Sequence, residues 1–242
     1  MIDAHCHVDM YKDPKRIMDE SERLGIITLA MTNLPSHFEL GYPHFRMYRK
    51  VRLALGMHPL LAESHEREFP RFVKNFDRTS YIGEVGLDYS REGIATKEIQ
   101  IQTYRKIITM IAGEHKLVSI HSRRAEREVF EILSSSGAKS AVFHWYSGPL
   151  NLINAIADQG YLFSVNPAML SSKHGREIIE RVPRNSLLTE SDGPFATLNG
   201  IPAEPSSVHL VYEHLSRSWN TPKNVVANQI AENFKRLLSE IS

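Results

Sequence analysis

The chain is poor in the features that would place it outside a reducing, aqueous compartment. It carries one cysteine, Cys6, in 242 residues. No internal disulfide can form, and the sequence fits a reducing environment. No apolar run approaches the roughly 20 residues that a membrane helix needs. Charges appear at once at the start, where a signal peptide would need an apolar core. The expectation is a soluble cytoplasmic protein with no membrane partner. An excess of charge of one sign is also missing: 29 Lys and Arg face 28 Asp and Glu, a formal net charge of +1. That excludes strong attraction of the whole molecule to nucleic acid or anionic lipid, but not a local basic cleft. Repeats, linkers and low-complexity tracts are lacking too, so residues 1–242 are expected to form one domain.

What is present alternates. A hydrophobic fraction of 42% suffices for a sizeable core. Apolar runs that read as strands lie at 2–8, 26–32, 51–57, 80–86, 117–121, 140–144, 161–165 and 186–191. Helical, charge-rich stretches lie at about 14–24, 36–49, 63–76, 97–114, 124–136, 149–159, 173–182 and 205–218. A last helix follows from about 222, with Thr221 expected to cap it and Pro222 in its first turn. Eight strands, each followed by a helix, argue for an α/β fold closed as a (β/α)8 TIM-type barrel. The Pro- and Gly-rich stretch 193–206 reads as a loop after the last strand, long enough to serve as an active-site flap.

The chain opens on MIDAHCHVD. Strand side chains alternate faces, so Asp3, His5 and His7 point one way and Ile2, Ala4 and Cys6 the other. Two imidazoles and a carboxylate on one face suit metal ligation. Other strands end in the same kind of residue: His58 in GMHP, Glu84 and Asp88 in GEVGLD, His121 and Arg123 in HSR, His144 in HWYSG, and Glu190 and Asp192 in TESD. In a barrel, the carboxyl ends of all strands meet at one mouth. Taken singly, each group has an ordinary structural explanation. Four imidazoles and two or three carboxylates drawn from this set suit two divalent ions, zinc, manganese or magnesium, better than calcium. A water on such a pair loses a proton near neutral pH.

DAHCH, GMHP, GEVGLDY, HSRRA, HWYSG and LLTESDGP, in this order and spacing, closely resemble the TatD family of metal-dependent deoxyribonucleases, part of the amidohydrolase-type barrel superfamily. The resemblance runs from residue 2 to about 238 and extends to Gln100 and Asn233-Phe234. It implies that His5, His7, Glu84 and Asp192 bind one metal. Glu84, His121 and His144 would bind the other, with Glu84 bridging. Asp192 would orient or deprotonate the attacking water, Glu190 would be an acid at or just behind the site, and His58 and Arg123 would hold the scissile phosphate. The implied activity is hydrolysis of DNA, from a 3′ end or on single strands. Trp145-Tyr146 replace the family's frequent Cys-Phe; Trp145 reads either as a stacking surface for an unpaired base or as packing outward against helices. Pro202-Ala203 stand where the family usually has Arg-Asn, which removes a basic contact. Arg124, Arg127, Lys173, His174 and Arg176 either join Arg123 in a basic groove or are solvated helix starts. HWYSG, FSVNPAML and LTESDGPFA resemble the TatD-type subunit of the Qat anti-phage defence system. That implies an ATPase, a QueC-like protein and a small fourth protein as partners. Rival readings are an amidohydrolase, lactonase or phosphotriesterase on the same barrel, and a scaffold with a vestigial site.

Overall fold

The apolar runs form parallel strands, and the amphipathic stretches between them form helices outside. A computed structural model describes residues 1–241. The strands are β1 (Ile2–Cys6), β2 (Ile27–Ala30), β3 (Val51–Leu53), β4 (Leu55–Met57), β5 (Tyr81–Gly86), β6 (Leu117–His121), β7 (Ala141–His144), β8 (Leu162–Val165) and β9 (Leu187–Thr189). Two ladders, β1-β2-β3 and β4 through β9, run parallel throughout. The helices are α1 (Pro14–Leu24), α2 (Pro35–Phe45), α3 (His65–Asn75), α4 (Lys97–Ile111), α5 (Glu126–Ser136), α6 (Leu152–Asp158), α7 (Lys173–Arg181), α8 (His209–Ser218) and α9 (Lys223–Ser239). This is a (β/α)8 fold, as the alternation of strands and helices predicts.

α1 shows how the sequence writes such a helix. The Asp13 side chain accepts from Arg16 N at 3.0 Å, Pro14 opens the first turn, and Gly25 closes the helix in the left-handed region. Ile17, Met18 and Ser21 fall on its buried face. Each of the two apolar side chains contributes roughly 1.5–3 kcal/mol by leaving water.

Several expectations need correction. The third stave, expected unbroken over 51–57, divides at Ala54, whose N–H still donates to Ala30 O at 2.8 Å. Beyond it the second stave reaches across to the fourth: Thr32 N donates to Gly83 O, and Glu84 N to Thr32 O, both at 3.2 Å. The chain passes beneath this bridge at Gly56, where a Cβ would lie 1.5 Å from Thr32 O. The last stave is shorter than 186–191, so Glu190 and Asp192 lie past its end. α2 stops at Phe45 rather than 49. Thr221 does not cap α9. Pro222 is extended and delays the helix to Lys223, and Thr221 Oγ1 is left without a partner. The 193–206 loop contains a small hairpin, β10 (Thr197–Leu198) with β11 (Ile201–Pro202), turning at Asn199 and Gly200. Arg16 Nη2 grips Glu204 Oε1 at 2.5 Å and Tyr11 Oη donates to Ala203 O, so the loop is fastened to the first βα connection.

Closure between the first and last staves uses a side chain. Asp3, expected to share the ligand face of β1, is fully buried and accepts from Ser191 N at 2.8 Å and Ser191 Oγ at 2.6 Å. Asp192 N then donates to His5 O at 2.9 Å. The Asp3 carboxylate thereby replaces a ladder rung and sets Asp192 beside His5.

Candidate metal centre

Glu84, near the end of β5, is the focus of the mouth. Its Oε1 meets His121 Nδ1, and His144 Nε2 at 2.9 Å. Its Oε2 lies 3.0 Å from His7 Nε2 and 3.4 Å from both His5 Nε2 and His58 Nε2. Asp192 Oδ1 stands 3.6 Å from His5 Nε2 and 3.9 Å from His7 Nε2. Five imidazoles thus surround one carboxylate, with a second beside them. His58, expected on the substrate, is as close to Glu84 as His5 is, and forms a metal-competent triad with Glu84 and His121.

The donor set fits divalent cations. His5 and His7 present their Nε2 atoms to each other at 3.2 Å, and the His5 and His144 rings stack at 3.7 Å. Two ring nitrogens facing each other repel unless a proton or a cation takes up a lone pair. Nδ1 of His7 and of His144 is buried with no hydrogen-bond partner. Burial opposes charge on Glu84, yet His58, His144 and His121 hold its carboxyl well below the usual range. Burial and the neighbouring His144 push His5 well down, whereas Glu84 and Glu190 hold His144 well up against its own burial. Burial lifts Asp192 to about 7, against the pull of His144 and His7.

Other side chains aim these groups. His5 Nδ1 lies 2.8 Å from Ser119 Oγ, and His121 Nε2 lies 2.8 Å from Asp88 Oδ2. Burial opposes ionisation of Asp88, but hydrogen bonds from His121 and Ser90 bring it down to about 2. Gln100 Oε1 accepts from Asp88 N at 2.8 Å. Such contacts fix which ring nitrogen is free for a metal. Asp88 and Ser119 were not expected in this role; the signal for Asp88 was its place in GEVGLD. Glu190 is fully buried behind His144. It accepts from Asn166 Nδ2 and Trp145 N, each at 3.0 Å, and from Ser164 Oγ. Trp145 and Asp192 have φ of 37° and 45°, left-handed conformations that residues with a Cβ adopt at a cost and that gather at functional sites.

Above the carboxylates and imidazoles opens a cleft of about 660 Å³, bordered by Arg123, Trp145, Phe195, Met10, Leu60 and Leu61. His5 and Glu190 do not reach its wall. The remaining basic residues are elsewhere. Arg124 and Arg127 line a separate groove beside α5, together with Glu126, Glu128 and Glu131. His174 Nε2 contacts the Ser147 and Gly148 carbonyls, Arg176 donates to Leu170 O, and Lys173 pairs with Glu177. No single basic groove assembles from these residues.

The family model described as TatD related DNase matches residues 2–239. The chain belongs to the TatD family. It is a TatD-family metal-dependent hydrolase, and its relatives include deoxyribonucleases. An uncharacterized metal-dependent hydrolase of Methanocaldococcus jannaschii is 25% identical, over 98% of each chain. The human deoxyribonuclease TATDN3 is 23% identical over 100% of this chain and 95% of its own. The crystal structure of YJJV, a TatD homolog from Escherichia coli, superposes with a TM-score of 0.80 at 22% identity, covering 98% of this chain and 97% of that one. A TatD family hydrolase from Entamoeba histolytica superposes with a TM-score of 0.81 at 18% identity over the same shares. These last two likenesses concern the fold. Among the described residues, no helix is long and apolar enough to cross a membrane.

Proposed function

We propose that this TatD-family hydrolase cleaves DNA phosphodiester bonds, removing nucleotides from the 3′ end of single strands, with two divalent ions of zinc, manganese or magnesium. The observation that carries the reading is the convergence of five imidazoles on Glu84, with Asp192 beside them and Arg123 on the cleft wall. His5, His7, Glu84 and Asp192 would hold one ion, and Glu84, His121 and His144 the other. Bound there, two such ions would supply an acidified water and charge neutralisation at the phosphate. Asp192, beside His5 and His7, would accept a proton from the attacking water. Arg123 orients the phosphate through its planar donor fork. His58, 3.4 Å from Glu84, stands between ligand and phosphate duties. Glu190 orients His144 and the Trp145 backbone rather than touching substrate.

The test is incubation of end-labelled single-stranded and duplex DNA with Mg²⁺, Mn²⁺ or Zn²⁺, beside Asp192→Asn. A metal-dependent ladder shortening from the 3′ end, absent in the variant, supports the reading. Intact DNA in every metal, with hydrolysis of an amide, lactone or phosphotriester instead, overturns it. A place in anti-phage defence is part of the proposal and rests on the HWYSG, FSVNPAML and LTESDGPFA stretches. It calls for co-purification with an ATPase, a QueC-like protein and a small fourth protein, and isolation of the chain alone from its native cells would count against it.

A further inference from the structure

Two aromatic rings border the cleft, and neither belongs to the ligand set. Trp145 follows His144 directly at the end of β7, is half-buried, and lines the cleft. Its backbone is fixed in the left-handed region, and its N–H donates to Glu190 Oε1 at 3.0 Å. Glu190 is in turn held by Asn166 and Ser164. The indole therefore stands on an anchored, strained stretch of chain. Phe195 comes from the loop after β9. It meets His7 edge-on at 4.9 Å between ring centres and remains 54% exposed. Leu60 and Met10 add aliphatic surface. Against this apolar border stands one guanidinium: among the described residues lining the cleft, Arg123 is the sole Lys or Arg.

We infer that Trp145 and Phe195 clamp one unpaired nucleobase while Arg123 takes the single phosphate beside it, so that the site selects a strand end with a free base. The inference rests on the nuclease reading and names what sets its specificity. Every base has a π-face, so an aromatic clamp is tolerant of sequence. In a duplex both faces are already stacked, and freeing a base costs energy that a loose end does not require. A cleft of about 660 Å³ has the size of a small-ligand site rather than a duplex channel. One phosphate contact on a single strand gives a log–log salt slope of about −0.7.

The experiment uses the full chain and a 5′-labelled single-stranded oligonucleotide with 2-aminopurine at its 3′ end, beside the same strand ending in an abasic residue. Binding is read by 2-aminopurine quenching in the presence of chelator, and cleavage as kcat/KM with Mn²⁺. Wild-type protein is expected to quench the probe. Phe195→Ala and Trp145→Leu should each lose quenching and about 10-fold in kcat/KM, with Trp145→Phe recovering part. The loss should shrink on the abasic strand, and the salt slope should stay shallower than −1. Unchanged quenching in both variants, equal wild-type rates on the two ends, or a slope of −3 or steeper overturns the clamp. Intact DNA in every metal overturns the nuclease reading, while the quenching arm still decides the clamp. Degradation of both strands at equal rates by wild type and variants leaves the nuclease reading standing and removes the clamp.

Discussion

The two rims of the barrel both bury polar groups, but they treat them differently. At the rim where the strands begin, three buried groups have partners of their own. Lys116 Nζ donates to the Phe76 and Thr79 carbonyls, both at 2.8 Å. Asn233 Nδ2 donates to Arg184 O at 2.7 Å and Leu187 O at 2.8 Å, and Ser140 Oγ to Glu240 Oε2 at 2.8 Å. At the rim where the strands end, five imidazoles share one carboxylate, like groups face each other, and ring nitrogens of His7 and His144 are left over. A consistent fold satisfies its buried polar atoms locally, and departures from that gather where function is built. The first rim reads as architecture and the second as a site prepared for cations.

The comparison can be broken most directly at Glu84. Glu84→Gln should remove most of both metal equivalents by elemental analysis and lower DNA hydrolysis by more than the 10- to 100-fold typical of groups behind the ligands. Two ions per chain in the variant would show that Glu84 does not join the sites. Asp192→Asn should lower turnover by about 10²–10⁴-fold, as for loss of a general base. In the metal-free protein its Tm should hold or rise, because burial opposes the charge that the substitution removes. Wild-type turnover in the metal-loaded variant would take Asp192 out of the mechanism. At the other rim the effects should reverse. Asn233→Ala removes the bonds to Arg184 O and to the buried Leu187 O and should cost about 1–3 kcal/mol, with kcat/KM per folded molecule unchanged. A denaturant midpoint equal to wild type would show that this rim is not held as described.

The smallest effect is a pH dependence beside the mouth. His65, at the start of α3, is buried with Nε2 at 3.0 Å from His58 O, and burial lowers its pKa from 6.5 to about 4. The folded protein holds it neutral while the unfolded chain protonates below 6.5, so acid favours unfolding. Its contribution is complete above pH 6.5 and fades as pH falls toward 4, on the order of 2 kcal/mol. Plots of Tm against pH for wild type and His65→Gln should converge at acid pH. Parallel curves would mean that His65 protonates in place.

Much of this was legible in order and spacing. Alternating apolar runs and helices pointed to the barrel, and period-two strands with polar ends placed His5, His7, His58, Glu84, His121, His144 and Asp192 at one mouth. What the pattern misread or left open shares a cause. Asp3 looked like a third ligand on β1, yet a residue 188 positions away, Ser191, turns it into a closure. Glu190 was expected at or just behind the site, and Asn166, Ser164 and Trp145 hold it behind His144. The basic residues after the fifth and seventh staves were open between a groove and solvated helix starts, and their helices send them to carbonyls and acids of their own.

The sequence by itself therefore determined the fold family and which side chains reach the mouth, because strand alternation and the direction of parallel staves are local properties that add along the chain. Only the tertiary structure decided what each group faces: His58 on Glu84, Asp88 on His121, Trp145 and Phe195 on the wall of one cleft with Arg123. Those pairings depend on side chains from different staves and loops meeting across long separations, and no local pattern encodes the rotation and depth at which they meet.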